Sequence, residues 1–328
     1  MKKLTALILA LMLCISSCAA LAAYPVTLKD QTGREVTIES MPERMVSGYY
    51  ISTSACIALG LEERMAAVEA KADKRNIYRL AAPELIELPN VGTAKAFDLE
   101  ACLAAEPQLV ILPKRLKDAA ASLAEFGIPA LLVNPESGEQ LEQMIALIGE
   151  ATGTQERAKA LLDFSAAQLE SLEQKLAGVQ PVSALMLGNS DYLTCAPGDM
   201  YQTTVLENGG ALNAAAELTG GDFAALSYEQ LLAMNPAALM IPAEASYTAA
   251  DVLADAELAA IDAVKNGAVY AMPRAFEAWD SPVPSGVLGA VWTAHMLHPQ
   301  LVTREDYVSA AKAMYETFYG FTPDEAAL

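Results

Sequence analysis

Two glutamates stand in copied settings. Glu100 lies in "FDLEACLAAEPQLVILP", Phe97 to Pro113, and Glu229 in "LSYEQLLAMNPAALMIP", Leu226 to Pro242. Each is followed by an apolar helical face, a proline seven residues on, an apolar run, and a second proline six residues after the first. The offset is constant, since 229 − 100, 236 − 107 and 242 − 113 all give 129. Asp98 and Ser227 have N-cap chemistry, which puts both glutamates at the second helical position, and Gln230 completes an S-x-x-Q capping box. A first-turn carboxylate complements the helix dipole by about 0.3–1 kcal/mol, and a lone glutamate there needs no further role. Two at equivalent places in a repeated unit have a second use, because exposed anions at a fixed separation dock a partner with paired basic sockets.

A second constellation is cationic. The chain has a net charge of −20, which argues against nucleic acid as a partner. Yet the window Lys71–Lys117 holds eight of the 21 bases (Lys71, Lys74, Arg75, Arg79, Lys95, Lys114, Arg115, Lys117) against six acids. That window is net +2, and the remainder of the chain carries −22. A positive island in an acidic protein marks either an anion site or a solvated basic face.

The elements that would position these residues alternate. "VTLKDQTGREVTI" alternates around Thr32-Gly33 as a β-hairpin. Short apolar strands follow in "RMVSGYY", "MAAVEA", Leu109–Leu112 and 130–133, separated by helical stretches. The pattern restarts after residue 180 with "SALMLG", helix "TTVLENGG", strand "LMI", one helix over 249–263 and strand "AVYAM". Strands apolar throughout, alternating with helices, specify a mainly parallel α/β sheet covered on both faces. Between the halves, residues 154–177 run without glycine or proline, with Ala158, Leu161, Leu162, Leu169, Leu172 and Leu176 at helical spacing. The predicted organisation is an N-terminal α/β lobe (24–150), a linker helix (154–177) and a C-terminal α/β lobe (180–328).

The chain opens "MKKLTALILALMLCISSCAALAA", a charged start and an apolar core of about ten residues, too short to span a bilayer. Residues 1–22 therefore read as an export signal. Ile15-Ser16-Ser17-Cys18 has lipobox form, with Cys18 acylated and the protein anchored on the outer face of a membrane. Cleavage after Ala22 would instead leave it free in the periplasm. Cys56, Cys102 and Cys195 make an odd set without CxxC spacing, so no disulfide framework is expected, and Cys56 and Cys102 read as buried thiols.

Ligands of such folds lie between lobes at the loops that follow strands. Those loops place Lys71, Lys74, Arg75, Lys95, Lys114 and Arg115 on the first-lobe wall and Tyr192, Met200, Tyr201, Tyr247 and Trp279 opposite. Tyr49 and Tyr50 follow a strand, where either packs inward or faces ligand. The candidate ligand-binding set is Tyr49, Tyr50, Lys71, Arg75, Lys95, Lys114, Arg115, Tyr192, Tyr201 and Trp279. Cations facing aromatic rings suit a bulky, multi-ring ligand carrying negative charge. Met186, Met234, Met240 and Met272 lie in apolar runs and read as core.

The order "PERMVSGYY", "LPNVGTAKAFDLEACLAAEPQLVIL", "FGIPALLV", "LENGGALNAA", "LSYEQLLAMNPAALMI", "AVKNGAVYAMP" and "WDSPVPSGVLGAVWTAHMLHP" resembles the class III periplasmic binding proteins that serve ABC importers of ferric siderophores, haem and corrinoids. The likeness covers essentially the whole mature chain. It implies two lobes joined by one long helix, a metal chelate bound in the cleft, and a permease dimer whose arginines meet Glu100 and Glu229. It implies no resident cofactor, the ligand itself carrying Fe3+ or cobalt, and a monomer rather than an enzyme. Where the corrinoid subfamily has cleft aromatics, this chain has Thr93 to Lys95 and Pro113 to Lys114, which favours a ferric chelate over a corrinoid.

Other readings fail on residue type. Bare zinc or manganese needs about three histidines with a carboxylate, and the two here, His295 and His298, share one helix with expected structural roles. No G-x-S-x-G elbow, P-loop or H-E-x-x-H is present. An exported enzyme using carboxylates alone stays open, as does a receptor that feeds a sensor instead of a permease.

Overall fold

The runs Met45–Ser47, Leu109–Pro113, Ala130–Val133 and Ala238–Ile241 are buried along their length, because each is apolar on both faces. The computed structural model describes residues 24–328, so the export signal and Cys18 lie outside the described residues. The hairpin of β1 (Val26–Lys29) and β2 (Glu35–Ile38) turns at Gly33, whose positive φ suits glycine. β3 (Met45–Ser47), β4 (Met65–Ala67), the two-residue strands β5 (Gly92–Thr93) and β6 (Ala96–Phe97), β7 (Leu109–Pro113) and β8 (Ala130–Val133) follow. The second half supplies β9 (Val182–Met186), β10 (Thr194–Cys195), β11 (Ala211–Asn213), β12 (Ala224–Ala225), β13 (Ala238–Ile241) and β14 (Val269–Ala271).

Two four-stranded sheets form, in the orders β4-β3-β7-β8 and β11-β9-β13-β14, every pairing parallel. Counted by appearance along the chain, both orders are 2-1-3-4. The duplication written around Glu100 and Glu229 thus extends to the topology of whole sheets.

Twelve α-helices are found among the described residues: α1 (Tyr50–Ala58), α2 (Asn76–Ala81), α3 (Leu99–Ala104), α4 (Lys117–Glu125), α5 (Gly138–Thr152), α6 (Gln155–Leu176), α7 (Tyr201–Asn208), α8 (Tyr228–Met234), α9 (Ala249–Ala254), α10 (Asp262–Lys265), α11 (Val287–Leu297) and α12 (Arg304–Phe318). The single helix expected over 249–263 is broken into α9 and α10. Asp255 causes the break: it adopts an extended conformation, and its carboxylate accepts the Glu257 amide and the hydroxyls of Tyr192 and Tyr228. Cys56, Cys102 and Cys195 are buried and unpaired with one another.

Strand periodicity assigns each side chain to a core. In β7, Leu109 and Ile111 enter one apolar cluster while Val110 and Leu112 enter another. In β13, Ala238 and Met240 join the same first cluster, and Leu239 and Ile241 face a third. The inner faces of both sheets therefore drain into one continuous core, with α1, α5, α7, α11 and α12 contributing Ile51, Ile145, Leu206, Trp292 and Met314. The lobes are not independently packed, although each repeats the full α/β pattern.

Helix α6 spans 22 residues, about 33 Å at 1.5 Å each. It buries only Ala158, Leu161 and Leu172, packing against α5, α11 and α12. Arg157 ties it down, donating to the Ala58 carbonyl at 2.7 Å and the Phe318 carbonyl at 3.0 Å. A rigid helix laid over a shared core resists the bending that extended linkers allow. Scattering of free and ligand-saturated protein should therefore correspond to closure of no more than about 15°; a large compaction would show that the shared core parts on binding.

Candidate functional site

In each sheet the strand order reverses between its first and third strands, β3 and β7 or β9 and β13. Open α/β sheets form their ligand crevices at the carboxyl ends of such strands. Both positions carry a glycine under steric demand. A Cβ on Gly48 would lie 2.8 Å from the Leu112 side chain and 3.2 Å from the Phe97 ring, and one on Gly188 would lie 1.9 Å from Thr194 Oγ1.

These contacts also place the repeated glutamates. Phe97 beside Gly48 puts the start of α3 at the carboxyl edge of the first sheet. Thr194 beside Gly188, with the Leu226 amide bonded to the Leu193 carbonyl, puts the start of α8 at the same edge of the second. Asp98 accepts the Ala101 amide at 2.9 Å, and Ser227 and Gln230 form the full capping box. Glu100 and Glu229 follow as exposed first-turn carboxylates. The amide and hydroxyl donors at the α8 start hold the Glu229 carboxyl below its ordinary value.

A cavity of about 270 Å³ separates the sheets. Tyr50, Lys74, Arg75, Asn76 and Ile77 line it from the first half, and Ala243, Glu244, Ala245, Arg274, Phe276 and Glu277 from the second. The chain reaches it through Lys71, whose left-handed backbone (φ 71°) starts the 3-10 turn Ala72–Lys74 and leaves Arg75 extended. The Arg75 guanidinium lies 4.0 Å from the Tyr50 ring centroid, a cation–π contact, and Nη1 donates to Glu244 Oε1 at 2.7 Å. Asn76 Nδ2 donates across the cavity to the Ala275 carbonyl at 3.0 Å.

Buried acids support the floor. Glu277 accepts Ser54 Oγ at 2.5 Å and the hydroxyl of Ser285, with Tyr319 more distant at 3.4 Å. Burial pushes its pKa up against the effect of those donors. Glu69 accepts Thr53 Oγ1 at 2.7 Å and the Tyr78 hydroxyl at 2.6 Å, and burial raises it likewise. Asp280 accepts the Ala243 amide at 3.0 Å, anchoring the loop that carries Glu244, and burial pushes it up to about 6.

The periplasmic binding protein model matches residues 45–275, about seven-tenths of the chain. The chain belongs to the periplasmic binding protein family. The molybdate-binding protein MolA of Haemophilus influenzae is 27% identical over 99% of both chains. The Fe(3+) dicitrate-binding protein FecB of Escherichia coli is 26% identical over 67% of this chain and 72% of that one. The solved structure of MolA bound to molybdate superposes with a TM-score of 0.81 at 24% identity, covering 91% of this chain and 99% of that one. Ceue from Helicobacter pylori with Ni(II) bound gives 0.78 at 21% identity, over 92% and 98%. These likenesses show the fold. The family consists of solute-binding proteins and not enzymes, and this member is an extracytoplasmic substrate-binding protein of the ABC transporter class.

Within this periplasmic binding protein, the cavity brings Tyr50 and Arg75 together. Tyr49, Lys114 and Arg115 gather instead in a neighbouring recess with Asn134 and Glu136. Lys71 and Lys95 are exposed and line neither. Three aromatic assignments are corrected. Trp279 is 1% exposed and donates Nε1–H to the Tyr315 hydroxyl at 2.8 Å in the core. Its charged neighbours suggested an exposed loop, but Glu277 and Asp280 are themselves buried and hydrogen-bonded. Tyr201 is buried against the start of α11, its hydroxyl beside Gly286. Tyr192 bonds Asp255 at 3.0 Å and packs edge-on to Tyr247, outside the cavity.

Met186, Met240 and Met272 are core, and Met234 is partly buried. His295 and His298 bond the carbonyls of Val302 and Gly210, which gives both structural roles. Arg274, Glu244, Phe276 and Glu277 were not singled out in the sequence. Each sits in a loop after a strand, as an isolated residue without spacing to distinguish it.

Asp280 yields a pH prediction. Its folded pKa of about 6 exceeds the ordinary carboxylate value, so the folded state binds the extra proton. The stability it contributes is present in acid and is lost as pH rises from about 4 to about 6. Asp280→Asn should raise the melting temperature at pH 7.5 and flatten its dependence between pH 4 and 6, on the order of 1–3 kcal/mol. Destabilisation at pH 7.5 would show that the charged carboxylate is needed at the Ala243 amide.

Proposed function

We propose that this protein captures a compact, multiply charged anion in the cavity between the sheets and hands it to an ABC permease in the membrane. The carrying observation is the charge set around a small space. Lys74, Arg75 and Arg274 face a cavity of about 270 Å³, and Glu244 is the one exposed carboxylate lining it. The balance of those four is 3 − 1 = +2. The volume falls just below the roughly 300–1,000 Å³ usual for small-molecule sites, which favours compact cargo over haem or a corrinoid.

Two anion classes fit. A tetrahedral oxyanion suits the fork geometry of Arg75, and the likeness to the molybdate-binding protein MolA supports it. A small ferric chelate with carboxylate donors is the second reading. It keeps the iron-chelate expectation in compact form, and the Tyr50 and Phe276 rings and the likeness to the Fe(3+) dicitrate-binding protein FecB favour it. Iron would then arrive as part of the cargo. Calorimetric titration with molybdate, sulfate, ferric citrate, a ferric tris-catecholate, haemin and cobalamin separates these readings. Molybdate or ferric citrate should bind at about 1 μM or tighter. Arg75→Met should weaken that binding by about 30-fold or more, the loss of a charged hydrogen bond. Binding of only the bulky chelates would overturn the compact-anion reading.

Delivery is assigned to Glu100 and Glu229, exposed at matching edges of the two sheets. The protein would act as a monomer held to the membrane through Cys18. The Glu100→Ala, Glu229→Ala double variant should bind cargo within about twofold of wild type while uptake into cells collapses. Loss of cargo binding in that variant would place the carboxylates in the ligand site.

A further inference from the structure

The cavity has a feature that depends on its being an anion site, and so rests on the reading above. Arg75 is the best-positioned anion receptor there, fixed by Tyr50 beneath it, yet its Nη1 is already occupied by Glu244 Oε1 at 2.7 Å. The two side chains come from opposite halves of the molecule, 169 residues apart. The carboxylate oxygen stands where an oxygen of an anionic cargo would stand.

The other acid of the cavity is bound differently. Glu277 is 7% exposed and accepts hydroxyls from Ser54, Ser285 and Tyr319, so its oxygens are committed to the floor. Glu244 has a half-exposed side chain, at 54%, and the contact with Arg75 is its only side-chain hydrogen bond among the described residues. It follows Ala243, whose amide is pinned by Asp280, so the backbone is held while the carboxylate swings. An exposed pair of this kind contributes little, and a better anion can displace it.

We propose that Glu244 is an internal stand-in for the cargo and determines charge selectivity. In the empty cleft its carboxylate occupies Arg75 and bridges the halves; an entering anion takes over the guanidinium, and Glu244 turns out to solvent. An anion must then outcompete a tethered carboxylate. Chloride and monocarboxylates, which offer Arg75 no more than Glu244 does, are rejected. Dianions and chelates with several oxygens, able to engage Lys74 and Arg274 together with Arg75, are accepted.

The test compares wild type with Glu244→Gln, which keeps size and hydrogen bonding and removes the charge. By calorimetry at low salt, Glu244→Gln should bind molybdate or ferric citrate about two- to fivefold tighter, and acetate binding should become measurable. Unchanged or weaker binding of these anions would show that Glu244 is a bystander or a cargo ligand, and would overturn the proposal. A second readout needs no cargo. Hydrogen exchange of the ligand-free proteins should be faster in Glu244→Ala, which removes the bridge, than in wild type at amides 72–78 and 243–246, and equal rates would overturn the bridging role. Failure of wild type to bind any anion in the panel would instead sink the compact-anion function, while the exchange comparison still decides whether Glu244 holds the cleft.

Discussion

Everything in the molecule depends on two parallel sheets turning one face each into a single apolar core. Strand side chains alternate, so β7 and β13 each commit every second residue to that shared interior and the others to an outer layer. A one-residue slip in either sheet would reverse the assignment, so register and inter-lobe geometry are set together. Because both sheets have the same strand order, the carboxyl ends at both switch points come to border one cleft. The cavity is where the two loop sets meet above that shared core.

The same constraint explains why the cleft tolerates buried acids. Glu69, Glu277 and Asp280 lie where the core reaches the cavity floor, and each is held by hydroxyl or amide donors. Burying a carboxyl is costly unless it is hydrogen-bonded, and the upward pKa displacements record the part of that cost the donors do not offset. What results is a hydrogen-bonded acidic floor under the cations Lys74, Arg75 and Arg274. Arg75 belongs to both layers, stacked on Tyr50 and open to ligand on its edge.

The exposed glutamates belong to a separate layer of the design. Their capping residues hold the helix starts, and Phe97 and Thr194 hold those starts against the glycines at the switch points. The cavity and the two helix starts thus all lie at carboxyl ends of strands. Small displacements of one half relative to the other would change both the cavity and the spacing of the two carboxylates.

The sequence by itself determined the repeated helix–proline–strand unit, the parallel sheets, the N-caps at Asp98 and Ser227, the long helix α6 and the acidic exposure of Glu100 and Glu229. These are local signals: periodicity, capping chemistry and proline placement act within about a dozen residues. It also placed Tyr50 and Arg75 at strand ends, where both line the cavity between the sheets. Only the tertiary structure decided which loop residues face the cavity. Trp279 follows the same loop logic as Arg274, yet one is core and the other lines the cleft, because Glu277 and Asp280 fold inward onto Ser54, Ser285 and the Ala243 amide and carry the tryptophan with them. The Arg75–Glu244 pair joins residues 169 positions apart, and no spacing rule reaches that far. Whether a charge is solvated, buried or paired depends on what the rest of the chain brings against it, and that is settled by packing.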